Sequence, residues 1–378
     1  MYDTYCTIVD ERENIMKKLL LVMVLLFAGC TNEVKLNKYQ NVSLSDSFNT
    51  ILQLVGYTEN KEQFNEYYSY AVDRFAELDK LYDLYDIHPG INNVALINSL
   101  AGTNKPVVVE QILFDLLKLS KEMYELTDGT LDITMGKLIA VWHQYREAAT
   151  LTNNIGPIPS QEELNEAASY RGMEYLELNE ETNEVMITKK GVSIDLGAVA
   201  KGYAAETIAS ELQAMGLTCG IVNAGGNTRV IGTKENNLEF KSQLNHPNGG
   251  LFDSFSIDIP KDASLVTSGD YNQFFMDEDH NSYHHIIDPK TLYPSDYARS
   301  VSVITTNGYI ADAVSTALFS MSYDDGIILV KELQKTNDLD VMWTFDIDEA
   351  VDMTGGEVIE DQYIIMTDGF KEEIKPLG

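Results

Sequence analysis

Between residues 61 and 86 the positions Phe64, Tyr67, Ala71, Phe75, Leu78 and Leu81 recur at spacings of three and four, which predicts an amphipathic helix. Pro89-Gly90 ends it, and Asn92 to Asn104 shows no period and reads as a loop. Val109, Ile112, Leu116, Leu119 and Met123 predict a second helix from Pro106 to about Leu126. A short polar helix, Glu162 to Arg171, follows the breaker Pro157-Ile158-Pro159. Two alternating runs, Tyr175 to Leu178 and Glu184 to Ile187, predict a hairpin around Asn179 to Asn183. Strands and helices then interleave. Strands are predicted at Val192 to Leu196, Gly220 to Asn223, Thr228 to Gly232, Phe255 to Ile259 and Ser300 to Thr305, and helices at Ala200 to Met215 and from about Ile310. No Pro/Gly-rich linker interrupts this and no repeat appears, so the expectation is one mixed α/β (α+β) domain over 47–378.

The chain ahead of that domain has a different pattern. Leu19 to Ala28 is an unbroken apolar run behind Lys17 and Lys18, short for a bilayer span but suited to a signal-peptide core. Small residues precede Cys30, an arrangement that resembles the lipobox of bacterial lipoproteins. The resemblance implies a signal peptide over 1–29 with its true start at Met16. It also implies a lipid on Cys30 and an extracytoplasmic protein anchored to the bacterial cell membrane. The polar stretch 30–46, with Asn32, Lys35, Asn37, Lys38 and Asn41, reads as the tether.

Charge narrows the functional classes. With 59 acidic against 27 basic side chains the formal net charge is −32, which excludes a nucleic-acid binder that relies on a basic face. Three cysteines without CxxC spacing give neither a disulfide framework nor a zinc site.

Four segments carry candidate chemistry. In Ser193-Ile194-Asp195-Leu196-Gly197-Ala198-Val199-Ala200-Lys201-Gly202-Tyr203 an acid, a turn and a lysine converge where a helix begins, a place suited to phosphate. Taken alone, a strand–turn–helix packing motif is the better reading. Asn223-Ala224-Gly225-Gly226-Asn227 admits positive φ and close approach of a ligand, or is simply a tight turn. Val266-Thr267-Ser268-Gly269-Asp270-Tyr271 precedes Tyr283-His284-His285-Ile286-Ile287-Asp288-Pro289, which offers either one base beside a phosphate or a hydrogen-bonded structural histidine pair. In Ala311-Asp312-Ala313-Val314-Ser315-Thr316, Asp312 and Thr316 stand one helical turn apart in an apolar setting. That is half of a hard-cation site, unless Thr316 bonds back to the Asp312 carbonyl.

Taken in order, these segments resemble the ApbE family, the FAD:protein FMN transferases. Thr130-Leu131-Asp132-Ile133-Thr134 with Trp142, the Asp195 to Tyr203 block, Gly225-Gly226-Asn227, Thr267 to Tyr271, His285 to Pro289 and Ala311 to Thr316 follow the family's sequence of motifs over about 50–320. The resemblance implies an enzyme that moves the FMN half of FAD, with Mg2+, onto a Thr or Ser hydroxyl of an exported acceptor protein and releases AMP. It implies FAD contacts at Thr130, Leu131, Asp132, Asp195, Lys201 and Ile286. It implies magnesium at Ala198 (carbonyl), Asp312 and Thr316, and a base at His285 whose rate dependence rises with pH near ~6.5. An FAD pyrophosphatase of the same family and a non-catalytic flavin-binding lipoprotein are the alternatives. One departure stands beside the base: Leu292 occupies the glycine position of the family's DPxTGxP.

Overall fold

The computed structural model describes residues 35–44, 47–351 and 353–377. The expected signal peptide, with Met16, and the expected lipidation site Cys30 lie outside them. A nine-stranded sheet organises the domain: β1 (Asn37–Ser43), β2 (Leu52–Thr58), β3 (Gly220–Ala224), β4 (Asn227–Ile231), β5 (Ser264–Gly269), β6 (Ser300–Thr305), β7 (Leu339–Asp346), β8 (Glu357–Ile359) and β9 (Gln362–Met366). Their spatial order is β1-β2-β3-β4-β5-β6-β7-β9-β8, and the pairings from β2 to β8 are antiparallel.

The central strands are buried on both faces, and strand alternation divides their side chains between two cores. Val301, Val303, Val341 and Trp343 join Leu54, Phe75, Ala204 and Val314 under the helices. Ile304, Met342 and Ile364 join Phe252, Phe255 and Phe370 on the opposite face. The helices are α1 (Lys61–Tyr82), α2 (Val94–Ser99), α3 (Gln111–Leu126), α4 (Gly136–Thr150), α5 (Gln161–Ala168), α6 (Ala200–Ala214), α7 (Gly308–Phe319), α8 (Tyr323–Leu333) and α9 (Asp368–Glu373). A third, smaller core gathers Met135, Leu138, Trp142, Phe275, Ile287 and Leu292.

The structure departs from the periodicity in several places. Asn37–Ser43, inside the expected tether, is the edge strand β1. The expected loop 92–104 contains α2, capped by buried Asn93, whose side chain accepts from Leu96 N–H at 3.1 Å. So short a helix offers too few positions for a period to show. The helix predicted from Pro106 begins at Gln111, because Val107–Val108 pairs with Val185 and Glu184. Val192 to Leu196 is no ladder strand. It is tied to the chain before α4 through Asp195 N–H to the Ile133 carbonyl (2.8 Å) and Gly136 N–H to the Ser193 carbonyl (3.0 Å). Asn98 of α2 clamps the same segment by bonding both the N–H and the carbonyl of Ile194, at 2.7 and 2.9 Å. Finally, α4 itself carries no clear apolar stripe and is visible only in the tertiary structure.

Candidate active site

The site forms where α6 and α7 cross beside β5. Gly202 N–H donates to Asp312 Oδ2 at 2.9 Å, and a Cβ on Gly202 would stand 2.5 Å from the Asp312 Cβ. Glycine is therefore what lets the two helices close on each other. Asp312 is buried, and burial raises its carboxyl pKa, while Lys201 and the Gly202 N–H act in the opposite sense. Ser315 Oγ, not Thr316, donates back to the Asp312 carbonyl, at 3.1 Å. Thr316 Oγ1 shares a hydrogen bond with Ser268 Oγ (3.2 Å), which also meets Ser315 Oγ (2.9 Å), so the β5 motif and the α7 motif adjoin.

The turn into α6 supplies the next groups. Asp195 Oδ1 accepts from Gly197 N–H at 2.8 Å, an Asx turn that exposes Gly197 and leaves Ala198 half-buried. Lys201 Nζ donates to the Gly197 carbonyl at 3.2 Å. Its charge acts on Asp195, Asp312 and His285 alike, lowering the pKa of each.

The two adjacent histidines take different roles. His284 is buried edge-on against Phe319, its Nδ1 accepts from Ile286 N–H (3.2 Å), and its Nε2 donates to the Ser295 carbonyl (2.7 Å). Both ring nitrogens are used, and burial pushes the ring down to about 4. His285 places Nδ1 3.3 Å from the Asn272 carbonyl. A carbonyl only accepts, so Nδ1 carries the proton and Nε2 keeps a free lone pair. Burial, then the charges of Lys201, His284 and Arg146, push His285 down to about 3. The ring is neutral, with its acceptor nitrogen unspent. The inflection near ~6.5 expected from an unperturbed histidine is thereby moved far to the acid side.

Ile286 is half-buried beside that base and packs against the main core. The loop below folds so that Leu292 adopts φ 68, the left-handed region, with its carbonyl accepting from the Trp142 indole at 2.9 Å. The glycine of the family motif would adopt this backbone freely.

Thr130, Leu131 and Asp132 are buried. The Leu131 side chain lies in the main core, and Asp132 Oδ1 accepts from the N–H and hydroxyl of Thr134, at 2.8 and 2.5 Å. This segment borders the site through Ile133 and Asp195, while its Leu131 and Asp132 side chains are engaged internally. Gly225 and Gly226, at φ 60 and 99, form the two-residue turn between β3 and β4, and Thr50 occupies the space a Cβ on Gly225 would need. Register places this turn at the Ser268 end of the sheet. Asp270 Oδ2 is bound by Arg299 at 2.5 Å, and Arg299 also holds Asp346 at 2.7 Å, while Asp270 Oδ1 is buried without a hydrogen-bond partner.

Three site neighbours escaped the sequence reading. Exposed Tyr85 lies with its ring 6.2 Å from that of His143 on α4, and the Arg146 charge reaches both Tyr85 and His285. Their available signal was the position of His143 and Arg146 just beyond Trp142.

Comparison with known proteins agrees with this architecture. Residues 48–343 match the family model of the ApbE family. The FAD:protein FMN transferase of Treponema pallidum is 30% identical over 254 residues, covering 63% of this chain and 67% of its own. That of Klebsiella pneumoniae is 28% identical over 285 residues, covering 72% of this chain and 83% of its own. The crystal structure of the ApbE protein of Thermotoga maritima superposes with a TM-score of 0.73 at 27% identity, covering 89% of this chain and 99% of that one. The flavin transferase ApbE of Vibrio cholerae, at 21% identity and a TM-score of 0.71, shares the fold. Fold, motif order and sequence together show that this chain belongs to the ApbE family.

Proposed function

We propose that this protein transfers the FMN half of FAD to a Thr or Ser hydroxyl of an acceptor protein and releases AMP. One observation carries the reading: His285, neutral and with Nε2 free, shares a site with Lys201, Asp195 and Asp312. His285 takes the proton of the attacking hydroxyl. The hydroxyl oxygen bonds to the FMN phosphorus as the bond from that phosphorus to the bridging oxygen breaks, and AMP departs with the electron pair. General-base assistance of this kind contributes roughly 10²–10⁴-fold. Lys201 faces the phosphates and offsets their charge, and Asp195 holds the turn that presents it.

The donor set suits a hard cation. Asp312 uses one carboxylate oxygen on the Gly202 N–H, and Thr316 offers a hydroxyl on the same helix face. Asp312, Thr316 and the Ala198 carbonyl would hold magnesium, which when bound neutralises pyrophosphate charge and acts as a Lewis acid.

The test is incubation with FAD and magnesium, with and without exported proteins of the source cell, followed by mass spectrometry for covalent FMN. Expected is an FMN adduct on Thr or Ser, lost with His285→Ala and kept with His284→Ala. AMP release that ignores the acceptor would make the protein a pyrophosphatase, and tight FAD binding without AMP a carrier. We also propose, from the residues around Cys30, a lipid-anchored extracytoplasmic location. Membrane attachment that survives Cys30→Ala would refute it.

A further inference from the structure

Among the described residues every arginine but one is committed. Arg74 pairs with Glu77 and Glu211, Arg229 with Glu206, and Arg299 with Asp270 and Asp346, while Arg171 donates to the Pro289 carbonyl. Arg146 makes neither a hydrogen bond nor an ion pair, although it is half-buried in a chain of net charge −32; Tyr85 and Glu147 reach it only through their charge. Withdrawing a guanidinium from water without a partner costs free energy, so the position asks for an anion.

The surroundings say which anion. Arg146 follows Trp142 by one turn of α4, and Trp142 is pinned to the Leu292 carbonyl in the loop that follows His285. His143, on the same helix, approaches Tyr85, and Tyr85 in turn feels Asp195. Arg146 and Lys201, from two different helices, both act on His285. Two cations converging on one base is the arrangement a doubly charged diphosphate group would satisfy, and the planar fork of arginine suits a phosphate better than a point charge does.

We propose that Arg146 grips a phosphate of the substrate's pyrophosphate, opposite in origin to Lys201 but serving the same group. This rests on the flavin-transfer reading above. Calorimetric titration of FAD, and of riboflavin as a phosphate-free control, into the whole protein with magnesium present would test it. Arg146→Gln should weaken FAD roughly 10- to 100-fold, the loss of charge-assisted hydrogen bonds, and leave riboflavin unchanged. Arg146→Lys should fall between. Because Arg146 has no internal partner, the thermal midpoint of Arg146→Gln should not fall. Undiminished FAD affinity overturns the proposal. If that result comes with a raised KM for the acceptor, the anion belongs to the acceptor instead. Equal weakening of FAD and riboflavin also overturns it. An unmodified protein that binds no FAD would overturn the flavin-transfer reading itself, and this inference with it.

Discussion

The α6–α7 interface has two ends, and each buries a carboxylate against a glycine of the opposite helix. At one end Glu206 of α6 fills the space where Gly308 of α7 would carry a side chain. At the other, Asp312 of α7 fills the space beside Gly202 of α6. The chemistry differs although the packing is reciprocal. Glu206 is saturated by buried Arg229, whose guanidinium also bonds the Val230 carbonyl, and by Ser210. Asp312 accepts one backbone N–H and has Lys201 near but not bonded. A 360 Å³ cavity opens at the Glu206 end, lined by Asn307, Gly308 and Asn337. Yet Asp312, with one carboxylate oxygen to spare, and Lys201, held only by a backbone carbonyl, lie at the other end. Burial marks both carboxylates; unspent bonding capacity marks one.

Several variants would break or sharpen that contrast. Arg229→Met should act on stability alone: it leaves Glu206 buried without its cation and costs about 3–5 kcal/mol. Denaturant unfolding reads the loss, with transfer per folded molecule preserved. Asp312→Asn should do the reverse, lowering transfer by at least ~10²-fold through loss of the charge proposed above to hold magnesium. Its stability without added magnesium should be unchanged or higher. The sign follows from the raised carboxyl of Asp312. A group bound more tightly to its proton in the folded state loses stability as pH rises through its folded value, and Asn removes that loss. An Asp312→Asn protein that unfolds as easily as Arg229→Met would place both ends in one structural class.

Gly202→Ala should be intermediate, costing about 1–3 kcal/mol by overpacking and depressing transfer as Asp312 is pushed from its place. The base gives a subtler reading. With His285 held down to about 3, its neutral form is complete from mildly acidic pH upward, so the transfer rate should show no histidine step between pH 5 and 8. The unfolded chain takes up protons on His284 and His285 near ~6.5, whereas the folded rings stay neutral to about 4 and about 3. Stability should therefore fall as pH drops below ~6.5, and less so in His284→Ala. A rate inflection at ~6.5 would show that His285 is not the base in this state.

The smallest effect concerns Leu292. Leu292→Ala and Leu292→Gly both lose the buried side chain, but glycine alone relieves the left-handed backbone, worth about 1 kcal/mol. The glycine variant should be the more stable of the two, an inversion of the usual order that unfolding midpoints would detect.

The pattern of apolar positions located α1, α6, the 176–187 hairpin and four segments of the sheets nearly to the residue, because long periods and clear alternation are local properties. It missed α2 and α4, where Asn93 capping and the Trp142 anchor to Leu292 substitute for a stripe. It also missed β5, β7 and β9, whose residues are held by neighbours distant in sequence.

The site divides in the same way. The spacing of Asp312 and Thr316 put two oxygens on one helix face before any fold was known, and the acid and lysine of the 195–201 turn were legible at the start of a helix. Which of His284 and His285 is free could not be read from adjacent identical letters. That was decided by two carbonyls, Ser295 and Asn272, brought in by the tertiary fold. Likewise one carboxylate oxygen of Asp132, which the resemblance names as an FAD contact, is taken up by Thr134. Sequence determined the kinds of groups present and their local geometry. Tertiary structure alone decided which remained unsatisfied, because a hydrogen bond or charge is spent by whichever partner the fold brings within reach.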